Sequence, residues 1–519
     1  MKKRLLTSLM GGSLLILSWM GCQKENKTFS NTPSVKSSKN WTASEINGFI
    51  LKNIADNNKV FDWAIANDEM LFSALQNTDN MLAVGFKKAN ATDDEAVLFN
   101  AAKDADWKAA KDALVALIVA SEQKANPSVD YTKFEMGNDF DNLNAFYVKI
   151  YSFETLVQLR QSPLVRYVYP SGFEAEDTNL DNRSASGCDG YVGEALTLNT
   201  DYTQIAPNAK QSWTYSQPQI AQAWARTTGA GIGVMVVDAG ISANQAMYQP
   251  ANFTNGASLK TRTVSLLSRY PSSINFWGTK ILAYDTNPYS TCGHGTAMTG
   301  IVSSPRNNLG ASVGVAYDCN LVSVRAVEDV IISNSYEELG VASALNLAAM
   351  SADIKIVSMS LGSIITRSVI GDAIKAIRNA GKLPFCAAGT SFTWTSWWGV
   401  IYPANMVEAI AVTGVDNNGN TCSVCHDGSE VDYVALMDRA SDGKSVLTLA
   451  ISGNQPATVG GSSAATATTA GIAALIWSKS PSQTSAQILS RMTSSGSYYP
   501  TKNGSKGWGI VNANAATDF

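Results

Sequence analysis

The stretch from Gly460 to Ser478 sets the strongest condition on the fold. Gly460 and Gly461 permit a tight turn. Ser462, Ser463, Ala464, Ala465 and Thr466 then lead into a run of Ala, Ile and Leu that reaches Trp477, with neither proline nor charge before Lys479. A helix that is apolar all round has to be enclosed by protein, so the chain needs a large core. Its 519 residues and 45% apolar content supply one; at a mean hydropathy of -0.04, two or three ordered domains are expected. The serine at the helix entrance has two readings. It is either an N-cap or a nucleophile placed where amide N–H groups and the helix macrodipole favour a developing negative charge. The second reading requires a base, and the base requires an orienting carboxylate.

Candidates for the base are few, because the chain has only two histidines, His294 and His426. That scarcity also disfavours a multi-histidine metal site. A net charge of -4 and a pI near 5.4 suggest no nucleic-acid partner. From Gln219 onward apolar strands alternate with helices. Strands are expected at 234–237, 321–324, 354–359, 384–388 and 409–413, and helices after His294 and at 337–350 and 369–380, with 241–290 rich in loops. This alternation predicts a mostly parallel sheet covered on both faces. Asp238 ends the first strand, at the edge where sites gather in such sheets. His294 stands between glycines where a helix begins, and Ser463 is at another helix start. Each has a structural explanation when taken alone, as a turn residue, a cap or a satisfied histidine. Together they give the chain order Asp, His, Ser, which differs from the orders of the chymotrypsin and α/β-hydrolase arrangements.

These segments resemble the subtilisin-like serine proteases, or subtilases. Val236-Val237-Asp238-Ala239-Gly240-Ile241 is similar to the family's aspartate motif, Gly293-His294-Gly295-Thr296 with Ala297, Gly300 and Ile301 to its histidine motif, and Gly461-Ser462-Ser463-Ala464-Ala465 to its serine motif. Val357 to Gly362 resembles the substrate-lining strand, with Ser358 for the usual Asn, and Gly507 to Asn512 the C-terminal signature. The resemblance covers about Gln219 to Ala516. It implies a subtilisin-like three-layer α/β fold in 191–519, with Ser463 as nucleophile, His294 as general base and Asp238 as its orienting partner. It also implies that Ser360, Leu361, Gly362, Ala387, Ala388 and Gly389 pair with the backbone of a polypeptide substrate. One position departs from the family pattern. The family's oxyanion amide comes from an Ala-Ala-Gly-Asn turn, and here the run ends in Thr390. Losing that donor costs a subtilisin roughly 100- to 1,000-fold in turnover. Thr390 therefore separates two expectations, an active endopeptidase and a weakly active or inactive subtilase-like binding protein at the cell surface. With Thr390, the backbone N–H of Ser463 would serve the oxyanion. No cofactor is implied. Structural calcium occurs in the family, but no loop presents a defensible ligand set.

Upstream, 81–86, 146–150 and 165–169 read as strands and 104–120 and 153–160 as helices, after helical periodicity over 43–77. This is a small α/β sandwich with its helices on one face. Its last elements resemble the end of the subtilase inhibitory propeptide, so 43–172 is expected to be a ferredoxin-like propeptide domain that acts as the chain's own inhibitor. The polar stretch 173–190 would then be a cleavable linker. Residues 1–22 combine Lys2, Lys3 and Arg4 with an apolar run and Gly21-Cys22, a secretory signal. It is similar to bacterial lipoprotein signals, in which Cys22 would carry lipid and 23–42 would form a tether. The expected location is exported: periplasmic, anchored at the outer membrane, or secreted by a bacterium.

Export places Cys188, Cys292, Cys319, Cys386, Cys422 and Cys425 in an oxidising compartment. Six cysteines allow fifteen pairings, and the sequence does not choose among them. Cys386 sits in a strand-like run that suits a free buried thiol. Cys422-Ser423-Val424-Cys425-His426 matches the c-type haem attachment pattern. Its place inside the protease domain favours a disulfide or a thiol pair in a surface turn.

Overall fold

The computed structural model describes residues 39–519 apart from 99–104, 129, 132–139, 176–186, 189–190, 250, 253–261, 275–280 and 391–398. The expected signal, Cys22 and most of the tether and linker lie outside the described residues.

The N-terminal part begins with α1 (Ala43–Asn57). Its entry is a reciprocal cap in which the Thr42 side chain accepts the Glu45 N–H and the Glu45 carboxylate accepts the Thr42 N–H. Next come α2 (Asp68–Gln76), β1 (Met81–Phe86), α3 (Ala105–Ala125), β2 (Ala145–Lys149), α4 (Phe153–Gln161) and β3 (Val165–Pro170). β1 is the central strand, antiparallel to both others. The strands and helices expected from Met81 are present, with a short helix (Asp93–Leu98) added after the first strand and the long helix reaching Ala125 rather than ending at Ala120. The sheet register puts Tyr147, Ala83 and Tyr169 in one cross-strand row, and Tyr167 opposite Gly85 in the next row on that face. Small residues in the centre and tyrosines at the sides make a face that can close on a neighbour and still present hydroxyls to it.

That neighbour is the second part of the chain, built on seven strands: β4 (Gly233–Asp238), β5 (Val264–Ser268), β6 (Asn320–Arg325), β7 (Ile354–Met359), β8 (Leu383–Ala387), β9 (Ile410–Asp416) and β10 (Val431–Asp438). The spatial order is β10-β9-β8-β7-β4-β6-β5, with every pairing parallel. Side chains alternate across β4. Val234 and Val236 join one apolar cluster with Ala297 and Ile301 of α5 (His294–Ser303) and Ala464 to Trp477 of α8 (Gly461–Lys479). Met235 and Val237 join the other, with Leu339 of α6 (Ser335–Met350) and Ile370 of α7 (Ser368–Asn379). This is the expected three-layer α/β fold, and α8 is the enclosed helix, its residues from Ala464 to Trp477 buried. Within the loop-rich residues 241–290, the structure adds the edge strand β5 and a short hairpin (Pro271–Ile274 with Ile281–Tyr284) that were not expected. An edge strand pairs on one side, and no residue of β5 is fully buried, so it lacks the apolar run by which the inner strands are recognised.

The tyrosine face of the first sheet packs on α6 and α7. Glu338 of α6, with no exposed surface, accepts hydrogen bonds from Tyr147 (2.8 Å), Tyr169 and Ser171 (3.1 Å). Asp372 of α7 accepts from Tyr167 (2.7 Å) and pairs with Arg166. The fully buried Arg367 guanidinium is shared between Glu338 (3.4 Å) and Glu174 (2.9 Å). One cation serves two carboxylates away from water, and burial raises the Glu174 carboxyl from its ordinary 4.5 to about 7. Because the docked carboxyl titrates above the free one, its support for docking is complete below about pH 4.5 and weakens as pH rises to about 7, by on the order of 3 kcal/mol. Thermal unfolding of a Ser463→Ala chain should show this slope between pH 4.5 and 7, and Glu174→Gln should flatten it.

Candidate active site

β4 carries Asp238 to the C-terminal rim of the sheet, and α5 starts beside it with His294. The imidazole Nδ1 lies 2.9 and 3.0 Å from the two Asp238 carboxylate oxygens. Both residues are buried, at 3% and 1% exposure. The Ala239 N–H also donates to Asp238 Oδ1, at 2.8 Å, so the carboxylate is held from two sides. An acceptor at Nδ1 keeps the proton on that nitrogen and leaves Nε2 as the basic one. The two segments approach closely because of Gly295, where a Cβ would stand 2.0 Å from the Gly240 carbonyl oxygen. On the outer side, the Tyr191 ring meets the imidazole edge-on at 6.4 Å between centroids. A disulfide ties Cys188 to Cys292, two residues before the histidine, and the Gly293 N–H donates to the Cys188 carbonyl at 3.4 Å. The sequence offered one cue to this clasp, a cysteine two residues from one of only two histidines, and the pairing could not be read from it.

Ser463 lies in the first turn of α8, which packs against α5. The helix starts at Gly461 with Gly460 in the cap position and no side-chain cap bond, so the capping role does not apply to Ser463. Its hydroxyl donates to the Ser360 carbonyl at 3.5 Å, and Ser360 Oγ donates back to the Ser463 carbonyl at 3.1 Å. Among the described residues no hydrogen bond joins Ser463 to His294. The hydroxyl's one bond is at the limit of useful length, so turning it away costs little.

Thr390 is beside the serine motif. Its Oγ1 accepts the Ser462 N–H at 3.1 Å and lies 3.1 Å from Ser462 Oγ, which accepts the Gly389 N–H at 3.1 Å. Either hydroxyl can be the donor in that contact, so of the two hydroxyl protons one bridges the oxygens and at most one is left over. Ser462, which carries no role of its own in the serine motif, therefore shares whatever donor Thr390 offers. The Ser360–Gly362 segment carries a constraint, since the Gly362 N–H donates to Val330 (3.2 Å) and its carbonyl accepts from Ile332 (3.0 Å). A substrate strand that needs the Gly362 N–H has to displace residues 330–332. Along Ala387-Ala388-Gly389, the Ala388 N–H is bound to Val412 and that of Gly389 to Ser462, while the Ala388 carbonyl accepts the Ile401 N–H and the Gly389 carbonyl that of His426, both at 2.9 Å. His426 is far from a base role in this arrangement. It is buried against Gly389, and burial lowers its affinity for a second proton. Among the described residues no three His, Cys, Asp or Glu side chains converge in one cluster.

A profile described as the subtilase family matches residues 229–509. A thermostable alkaline protease of Halalkalibacterium halodurans is 31% identical over 273 residues, 53% of this chain and 71% of that protein. Subtilisin Savinase of Lederbergia lenta is 29% identical over 306 residues, 59% of this chain and 98% of that one. Among solved structures, a protease of Pseudoalteromonas arctica aligns with a TM-score of 0.46 at 24% identity, covering 59% of this chain and 96% of the other.

The Asp238–His294 contact makes a prediction. Asp238→Asn presents an amide that favours the wrong imidazole tautomer, and turnover should fall on the order of 10⁴-fold with the fold intact. Active-site titration alongside circular dichroism checks both.

Proposed function

The chain belongs to the subtilase family of serine proteases, and from that membership we propose that it is an exported endopeptidase using Ser463, His294 and Asp238. The observation that supports the reading is the buried bond from His294 Nδ1 to the Asp238 carboxylate, beside the contact of Ser463 with Ser360, which follows the strand paired with that of Asp238. Ser463 Oγ gives up its bond to Ser360, attacks the peptide carbonyl and passes its proton to His294 Nε2. Asp238 steadies the imidazolium. The tetrahedral oxygen takes the Ser463 N–H and the free hydroxyl proton of the Thr390–Ser462 pair. His294 then protonates the leaving amine, and water attacks the acyl-enzyme by the same route.

Residues 43–172 act as the inhibitory propeptide, docked through the tyrosine face on α6 and α7. Cleavage falls in 173–190, and any cut before Cys188 leaves the new N-terminus clasped to Cys292. Export is supported by the N-terminal signal and by the two disulfides, Cys188–Cys292 and Cys422–Cys425. Lipid on Cys22 would anchor the chain at a bacterial membrane; no described helix is long and apolar enough to cross one.

A second reading, a subtilase-like surface binding protein with little activity, draws on one observation: the hydroxyl of Thr390 stands where the family pattern has an amide. Reaction with a fluorophosphonate separates the two. The purified chain should label at Ser463 and process its own linker. Ser463→Ala should lose both, with turnover down on the order of 10⁶-fold. Thr390→Ala should lower turnover by roughly tenfold to 100-fold, less than loss of an amide donor. No labelling of the wild-type chain would favour the binding protein.

A further inference from the structure

The Cys-Ser-Val-Cys-His motif takes no part in the chemistry described so far, yet it lies directly behind the oxyanion strand. Cys422 and Cys425 are joined as a disulfide, so their sulfurs are not available to haem. Cys425 forms an antiparallel bridge with Thr390. The next residue, His426, donates its backbone N–H to the Gly389 carbonyl at 2.9 Å. Its imidazole Nδ1 lies 3.1 Å from the Gly399 carbonyl, which as an acceptor requires the proton on Nδ1. One histidine thus holds both Gly389 and Gly399. Gly389 itself has φ of +122° and packs on that ring, where a Cβ would stand 2.5 Å from Nδ1. The other side of the motif is anchored in the sheet, since the Cys422 N–H donates to the Gly414 carbonyl at 3.1 Å and Thr413 Oγ1 donates to the His426 carbonyl.

We propose that the Cys422–Cys425 ring and His426 are positioning residues of the active site, holding Gly389 and Thr390 so that the free hydroxyl proton of the Thr390–Ser462 pair faces the oxyanion. The inference rests on the reading of this site as a protease. The spacing of the cysteines supports a local role. A disulfide with a sequence separation of 3 restrains the unfolded chain far less than Cys188–Cys292, whose separation is 104. What the short ring does restrain is the backbone at Cys425, the residue bridged to Thr390. A hydroxyl is shorter than an amide and rotates freely, so a Thr donor depends more on an exact backbone position than an Asn donor does. A misplacement of about 1 Å at such a site costs about 100-fold.

The test is a double-mutant cycle on protein matured in trans by the wild-type enzyme. Substitution is preferable to a reductant, which would also open the clasp beside His294. Cys422→Ala/Cys425→Ala should lower kcat about tenfold or more with KM within twofold. The same pair of changes in a Thr390→Ala background should cost almost nothing further. His426→Ala should behave like the cysteine variant, and His426→Asn, which keeps a side-chain N–H near Gly399, should recover most of kcat; this pair decides the matter if the cysteine variant does not fold. The proposal is overturned if kcat is unchanged, if the loss is carried by KM, or if it persists in full without the Thr390 hydroxyl. A wild-type chain whose Ser463 does not react with fluorophosphonate would sink the protease reading itself, whereas reactivity without coupling to Thr390 would sink only this inference.

Discussion

A parallel sheet exposes the ends of its strands at one rim, and the organisation of this chain depends on what is placed there. The Asp238 carboxylate is buried at that rim with the His294 imidazole against both its oxygens. A carboxylate so placed is tolerated because it accepts the ring N–H and the Ala239 amide. The close approach needs Gly295 on one side and the Gly240 backbone on the other. α5 and α8 then pack on the same face of the sheet, which is how Ser463 comes to the same rim from a position 169 residues later in the chain.

The opposite face is covered by α6 and α7, on which the N-terminal part packs in turn, and the contrast in chemistry is instructive. The His–Ser face is lined by small and aliphatic groups. The interface on α6 and α7 is a network of buried charge, in which Arg367 lies between Glu338 and Glu174 while three tyrosine hydroxyls reach Glu338 and Asp372. A network like this gives orientation more than raw affinity, because the desolvation of each ion offsets much of its attraction. That suits a domain proposed to dock in one register and later leave. Removal would strand Glu338 and Arg367 at a newly wetted surface, where solvation replaces the lost partners.

Gly362 and Gly389 each have backbone hydrogen bonding already committed, to residues 330–332 and to His426 respectively. In the proposed protease, substrate entry on one side and donor placement on the other would therefore be functions of neighbouring loops as well as of the sequence motifs.

The order of elements was legible in the chain, because inner strands buried on both faces read as apolar runs and α8 as an uncharged helix. Asp238, His294 and Ser463 were legible as a constellation from their settings and their order. β5 was not, since an edge strand lacks that signal. Nor was the geometry at Gly362, where a backbone N–H finds a partner that no side-chain identity announces. The six cysteines left their pairings open, and only spatial proximity joins Cys188 to Cys292 and Cys422 to Cys425 while Cys319 and Cys386 stay buried as thiols. The shared proton of Thr390 and Ser462 belongs to the same class. Periodicity and local chemistry are properties of neighbours along the chain, so the sequence alone determined the inner elements and the candidate reactive residues. Contacts between residues tens to hundreds of positions apart are settled by how the layers pack, so the tertiary structure decided which donors remain free at the site.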